Sequence, residues 1–419
     1  MTIPTQVDYI ISTLENAGYE AYIVGGCMRD ILLNQIPQDW DIATSATPSQ
    51  TKALFERTID TGIKHGTITV FLDKQPYEVT TYRMDGEYLD GRRPSNVKFV
   101  SDIYKDLSRR DFTMNAIAYN PHTGFVDPFN GQADIRKKVI RCVGDPNQRF
   151  AEDALRMMRA IRFAGTTAFD ITPDVIAAIK KLKNNLENVS PERKREELGK
   201  LITSQNPAAV ALLCETGLAE YVFCDANFQG CVIIDQSVLQ LLCKCPPHEP
   251  MRLALLFYLL LLDMQPHPET ICKEMLLALR YDNKTMKETL QYVERLGSKI
   301  PECKIEIKKI LRHMPQDIFK NLIMLMDLLE NSCARSSAKA QETHSFAYST
   351  CMQLLDQIHS NGECYTLRAL AVNGQDLACV GIKEGKQMGD ILENLLDIVV
   401  HNPEKNTRDV LMEFILEKV

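Results

Sequence analysis

The chain of 419 residues has one tryptophan, no CxxC pair or zinc-type spacing among its 13 cysteines, and no apolar run beyond the ten residues from Leu253 to Leu262. Each shortage excludes something. A membrane-crossing helix needs roughly twenty apolar residues, so none is expected. Scattered cysteines without paired spacing fit neither a disulfide scaffold nor a structural zinc site and are expected as reduced thiols. The opening MTIPTQVDYIISTLE has no basic start followed by an apolar stretch, so no secretory leader is expected and the cytoplasm is the expected compartment. Basic excess is also absent, since 48 Lys and Arg face 55 Asp and Glu for a net charge of -7. What is present is an ordinary globular composition, 45% hydrophobic and 25% charged, long enough for two or three domains.

The charge is unevenly placed. Residues 101–200 carry 18 Lys and Arg against 14 Asp and Glu, a net of +4, which leaves 30 against 41, a net of -11, elsewhere. A basic segment inside an acidic chain fits a small, localised nucleic-acid contact better than binding to long tracts through counterion release. A solvated helical face would give the same count.

Strand-like runs bounded by Gly, Pro or Asp occur at Tyr22–Val24, Asp39–Ala43, Thr67–Leu72, Tyr77–Tyr82, Val97–Val100 and Ala116–Tyr119, with helical patterns at 6–17, 28–34 and 48–57. This half reads as mixed α/β. From about residue 147 the apolar spacing turns to three and four and strands are expected to stop. Ser190-Pro191-Glu192 has the form of a capped helix start. Glycines 374, 381, 385 and 389 predict short helices joined by tight turns near the end.

Three clusters could carry chemistry. Gly25-Gly26-Cys27-Met28-Arg29-Asp30 is followed by Asp39-Trp40-Asp41. On one strand, Asp39 and Asp41 would face the same way and could share a divalent cation, magnesium by their hard oxygen chemistry. Gly25 and Gly26 would let backbone approach a phosphate, with the amides of a following helix aimed at it. Cys27 reads as a small apolar filler. Glu78, on a predicted strand, could supply a third acid. In Arg109-Arg110-Asp111-Phe112-Thr113-Met114-Asn115, the arginine fork suits phosphate oxygens, and Asp111 or Asn115 suits a ribose hydroxyl. In Glu152-Asp153 through Phe163, Asp153, Arg156, Arg159 and Arg162 form a spiralling polar stripe, with Leu155, Met158 and Ile161 behind it. Each cluster alone has a plainer reading, as a turn, a capped helix end or a surface helix.

In this order and spacing the clusters resemble the class II tRNA nucleotidyltransferase and poly(A) polymerase family, with its GG-x-x-RD and D-x-D, RRDFT-x-NA and ED-x-x-R-x-x-R motifs. Tyr82 to Pro94 is similar to the family's flexible loop, Ser190 to Leu198 to its later helical motif, and Val372 to Asn406 to the tail of bacterial CCA-adding members. The resemblance implies an α+β nucleotidyltransferase head, polymerase-β-like with a small mixed sheet and flanking helices, at 1–138. An all-α neck (139–196), body (197–300) and tail (301–419) would follow, the tail binding tRNA. It also implies metal ligands at Asp39 and Asp41, and nucleotide contacts at Gly26, Arg29, Arg110, Asp153, Arg156, Arg159 and Arg162. The stretch His248 to Asp263 lacks an adjacent His-Asp pair, so no metal phosphohydrolase activity is expected.

The expected activity is addition of CCA to the tRNA 3′ end from CTP and ATP with Mg2+. Asp153 beside Arg156 would complement the amino donor and ring acceptor shared by cytosine and adenine and reject guanine and uracil. Asp85, Asp90 and Arg92 sit in a glycine-flanked segment able to swing the choice from C to A. A-only addition is an alternative, followed by poly(A) synthesis, which a pI of 5.7 disfavours, and a non-catalytic RNA-binding protein, which the intact acids disfavour.

Overall fold

The computed structural model describes residues 3–86, 97–223, 236–261, 268–333 and 338–416. The chain divides into two compact units, residues 1–235 with 274–281, and residues 236–273 with 282–419.

The first unit begins with helix α1 (Thr5–Asn16), whose Val7, Ile10, Ile11 and Leu14 recur at helical spacing and are buried in the sheet core. Then come β1 (Ala21–Val24), α2 (Gly26–Leu32), β2 (Asp41–Thr44), α3 (Pro48–Leu54), β3 (Thr58–Gly62), β4 (Thr67–Leu72) and β5 (Gln75–Thr81). α3 starts sharply because Thr47 and Gln50 form a capping box ahead of Pro48. After β6 (Arg83–Asp85), β7 (Val97–Phe99) and α4 (Ile103–Ser108), strands β8 (Ala118–Asn120) and β9 (Gly124–Val126) complete a seven-stranded sheet in the order β3-β4-β5-β2-β1-β8-β9. Within this sheet β2 and β5 pair in parallel and the other neighbouring pairs are antiparallel. An N-terminal mixed sheet with helices, followed by a mostly helical remainder, is the expected fold class.

Helices then take over, in α5 (Gly131–Lys137), α6 (Pro146–Glu152), α7 (Leu155–Thr167), α8 (Pro173–Leu182) and α9 (Pro191–Ile202). One strand does lie beyond residue 147, contrary to expectation: β11 (Asp170–Ile171) pairs in parallel with β10 (Val139–Ile140). Two residues are too few to produce a visible alternation. At Ser190 the chain turns into α9 where predicted, but the hydroxyl does not cap the helix backbone.

The described residues of the second unit form helices joined by turns and loops, with no strand among them. Lys308 is buried there with its ammonium 3.0 Å from Glu363, which also takes Lys304 at 2.7 Å. The short helix Gly374–Cys379 and the turn through Gly381 and Gly385 match the expectation for the glycines, but Gly389 lies inside the 16-residue helix Lys386–His401. A single glycine costs a helix only about 1 kcal/mol, which the buried Leu395, Leu396, Val399 and Val400 outweigh. Among the described residues, no helix is long and apolar enough to cross a membrane.

Candidate active site

Strand pairing assembles the acidic corner. Val24 is opposite Asp41, and Asp41 is opposite Glu78 on the parallel neighbour β5, so the end of β1 and two carboxylates lie level across the sheet. The chain leaves β1 through Gly25 at φ +80, a conformation that side chains resist, and enters α2 at Gly26. A Cβ on Gly25 would stand 3.2 Å from both Asp41 Oδ2 and Arg110 Nη1, so carboxylate and guanidinium converge over the one residue that leaves them room. Arg110 is anchored from behind by Asp106, 3.2 Å away and buried, which also takes Arg109 at 2.9 Å. Burial would raise the Asp106 carboxyl, but the two arginines hold it below the usual carboxylate range.

Asp39 is not on the strand with Asp41, as the sequence reading expected. β2 begins at Asp41, and Asp39 sits in the exposed bend before it, with Trp40 packed against the sheet core between them. Their charges still meet. Burial raises the Asp41 carboxyl above its ordinary value, Arg110 pulls it down, and Glu78 and Asp39 push it up again. Among the described residues, no group of three or more His, Cys, Asp or Glu side chains is arranged to hold a metal ion. Asp41, with the charges of Glu78 and Asp39 acting on it, would nonetheless offer hard oxygen donors to a divalent cation.

The second corner is an arginine cluster. Arg29 on α2 donates to Asn115 at 3.0 Å and to Asp30 at 2.7 and 2.9 Å. Asn115 donates to Asp111 at 3.2 Å, and Asp111 takes the Phe112 backbone amide at 2.8 Å and the Arg159 fork at 2.8 and 2.7 Å. Four candidate residues from three sequence motifs are thus one hydrogen-bonded chain. Burial would raise Asp111, but Arg159, Asn115 and the Phe112 amide bring it down to about 2. Glu197 on α9 takes Arg162 at 2.6 Å and lies 3.6 Å from Arg159.

Compared with curated proteins, the chain is 34% identical to a CCA-adding enzyme of Limosilactobacillus reuteri over 411 residues, 97% of this chain and 95% of that one. The chain belongs to the CCA-adding enzyme family. A CCA-adding enzyme of Geobacillus thermodenitrificans is 50% identical over 214 residues, 51% of this chain and 53% of the relative. Family models agree along the chain: the poly A polymerase head domain at residues 21–141, the "Probable RNA and SrmB- binding site of polymerase A" at 168–228, and tRNA nucleotidyltransferase domain 2 at 254–415. The crystal structure of the Bacillus stearothermophilus CCA-adding enzyme with CTP superposes at TM-score 0.79 and 32% identity, covering 100% of this chain and 98% of that one. A Thermotoga maritima CCA-adding enzyme shares the fold at 20% identity and TM-score 0.65, covering 99% and 96%.

For a chain of the CCA-adding enzyme family, two departures from the expected stripe matter. α7 begins at Leu155, so Asp153 is not on it but closes α6 in an extended conformation. The Arg156 amide donates to the Asp153 carbonyl at 3.1 Å, but the two side chains are held by different partners. Asp153 takes the Arg193 fork at 2.8 and 3.4 Å and the Leu155 amide at 3.1 Å. Arg156, 8% exposed, donates to Glu152 at 2.6 Å and to the Arg149 and Arg109 carbonyls at 3.1 Å each. Behind the stripe, Leu155, Met158 and Ile161 are buried as expected. Sequence reasoning placed Arg193 and Glu197 in a stretch similar to the family's later helical motif but did not find them as partners of the stripe, although their four-residue spacing puts both on one face of α9. Cys27 is core, its thiol donating to the Val24 carbonyl at 3.0 Å and pushed up to about 11 by burial. Asp85 is in β6, while Asp90 and Arg92 lie outside the described residues.

Proposed function

We infer that this chain adds CCA to the 3′ end of tRNA, taking CTP and ATP as substrates and releasing pyrophosphate at each step. One observation carries the reading: in a chain related over 97% of its length to a CCA-adding enzyme, the Asp41 carboxylate and the Arg110 guanidinium converge over Gly25. Asp41 and Asp39 would hold a divalent cation, Mg2+ by their chemistry, which when bound lowers the pKa of the primer hydroxyl and offsets phosphate charge. Glu78 adds negative charge beside Asp41 and keeps that corner attractive to cations. Arg110 would meet the entering phosphates beside Asp41 over Gly25, its Asp106 anchor limiting the motion lost on binding. Arg29, Arg159 and Arg162 supply further fork donors to the nucleotide, with Asp111 and Asn115 placed to orient its sugar.

Base choice falls to Asp153 and Arg156, each held by a different partner. The Arg193 fork and the Leu155 amide hold the Asp153 carboxylate and limit its rotation. Glu152 and two carbonyls do the same for the Arg156 plane. An acceptor beside a donor matches cytosine and adenine, whereas guanine and uracil would set carbonyl against carboxylate and N–H against guanidinium. Asp153→Ala and Arg156→Ala should therefore relax selectivity among the four nucleotides; unchanged selectivity would remove this pairing. The division into head (1–138), neck (139–196), body (197–300) and tail (301–419), the tail on tRNA, and a cytoplasmic place of action belong to the same reading. The test supplies tRNA lacking its end, tRNA ending in C and tRNA ending in CC, with each nucleotide separately and magnesium present. Stepwise C, C and A addition is expected. Growth only from CC with ATP would replace the reading with A-only addition, long A tracts would replace it with poly(A) synthesis, and no incorporation would leave a binding protein.

A further inference from the structure

Phe163, on α7 and 3% exposed, has three guanidinium groups gathered at its ring. Arg162 lies 3.8 Å from the ring centroid, Arg29 at 5.2 Å and Arg159 at 5.3 Å. Two of these come from α7 itself and the third from α2, at the entrance to the glycine corner. Three like charges around one small ring repel one another, and carboxylates answer only part of the problem. Asp30, Asp111 and Glu197 bond the guanidinium N–H groups, which lie in the plane of the fork. The flat faces have no hydrogen-bonding capacity and are satisfied by an aromatic quadrupole. Phe112, edge-on to Phe163 with centroids 5.6 Å apart, in turn fixes the ring's orientation.

We propose that Phe163 is a positioning residue for nucleotide binding, its ring π-face holding Arg29, Arg159 and Arg162 together so that they meet a triphosphate as one preformed set. This rests on the reading that those arginines contact the nucleotide. Without the ring's negative face, the cations would spread toward their separate carboxylates, and the nucleotide would have to collect them again on binding. The expected signature is a weaker apparent affinity for CTP and ATP alike with turnover nearly unchanged, because the ring touches neither the reacting atoms nor the base.

The test replaces Phe163 in the full chain with phenylalanines carrying one, two and three ring fluorines, which drain the quadrupole stepwise at nearly constant shape, alongside Phe163→Leu and Phe163→Tyr. KM for CTP and ATP should rise in step with fluorination to about fivefold, with kcat within about twofold, and Phe163→Tyr should stay near the parent. A KM indifferent to fluorine number overturns the proposal, even if Phe163→Leu weakens binding through lost packing. Arg162→Ala, assayed in parallel, separates the two levels. If it raises KM while the fluorine series is flat, only the role of the ring falls; if it leaves nucleotide KM unchanged, the assignment of the arginines falls and the proposal with it.

Discussion

Asp41 and Asp111 are both largely buried carboxylates, each with an arginine close by, yet their acidities move in opposite directions. Burial disfavours the charged form of both. At Asp111 an Arg159 fork at 2.7 and 2.8 Å, the Phe112 amide and the Asn115 amide more than compensate, and the carboxyl is held down to about 2. At Asp41 the arginine's pull is opposed by two further acids, Glu78 and Asp39, and the carboxyl rises. The arginine corner is therefore locally balanced and serves as framework, whereas the acidic corner carries a surplus of negative charge that folding tolerates. Tolerated local repulsion of that kind marks a site kept for a ligand better than motif spelling does.

The sharpest way to break the comparison is Asp41→Ala. It should cost roughly a thousandfold or more in CTP incorporation, by removing charge placed for the transition state, while the thermal midpoint holds or rises because a repelling carboxylate is gone. A well-folded variant with near-parental turnover would remove Asp41 from the chemistry. Asp111→Ala should behave in the opposite sense, costing about 2–4 kcal/mol of stability by leaving the Arg159 fork without its main partner, as read by denaturant unfolding. A stability loss below about 0.5 kcal/mol would mean that the framework lies elsewhere.

Acid titration sharpens the same contrast. Because Asp111 is more acidic folded than unfolded, its contribution is complete above the ordinary carboxylate value near 3.8 and is lost as pH falls toward about 2. On the order of 2 kcal/mol should disappear across that window, and Asp111→Asn should lack that part of the acid dependence. Identical pH profiles for parent and variant would contradict the assignment. Asp41 runs the other way: with its folded value raised, protonation favours the folded state, so Asp41→Asn should flatten the profile in the opposite direction. The smallest effect belongs to Gly25→Ala. Strain at φ +80 with a Cβ 3.2 Å from two charged groups should cost about 1–2 kcal/mol, and activity should fall further than stability does. Equal losses in both would make Gly25 a turn and nothing more.

Much of this was legible before any fold was known. β4 runs over Thr67–Leu72 as its β-branched run between Gly66 and Asp73 predicted, α1 differs by one residue at each end, and the three motifs supply most of the residues of both corners. What local pattern could not give is partnership. Asp39 and Asp41 look like strand mates, but β2 starts only at Asp41, because Trp40 is drawn into the core and the chain bends ahead of it. Asp153 and Arg156 look like neighbours on a helix, yet a break after Glu152 separates them and sends each to a different partner.

Taken alone, the order of residues determined which side chains are available and how they are spaced within a turn or a strand, since these depend on contacts a few positions apart. The fold decided that Glu78 lies beside Asp41, that Arg193 and Glu197 hold Asp153 and Arg162 some 35 to 40 residues upstream, and that one phenylalanine ring gathers three arginines. Those choices depend on parallel register and helix packing, where the energy comes from surfaces meeting across long stretches of chain and leaves no periodic trace in either segment by itself.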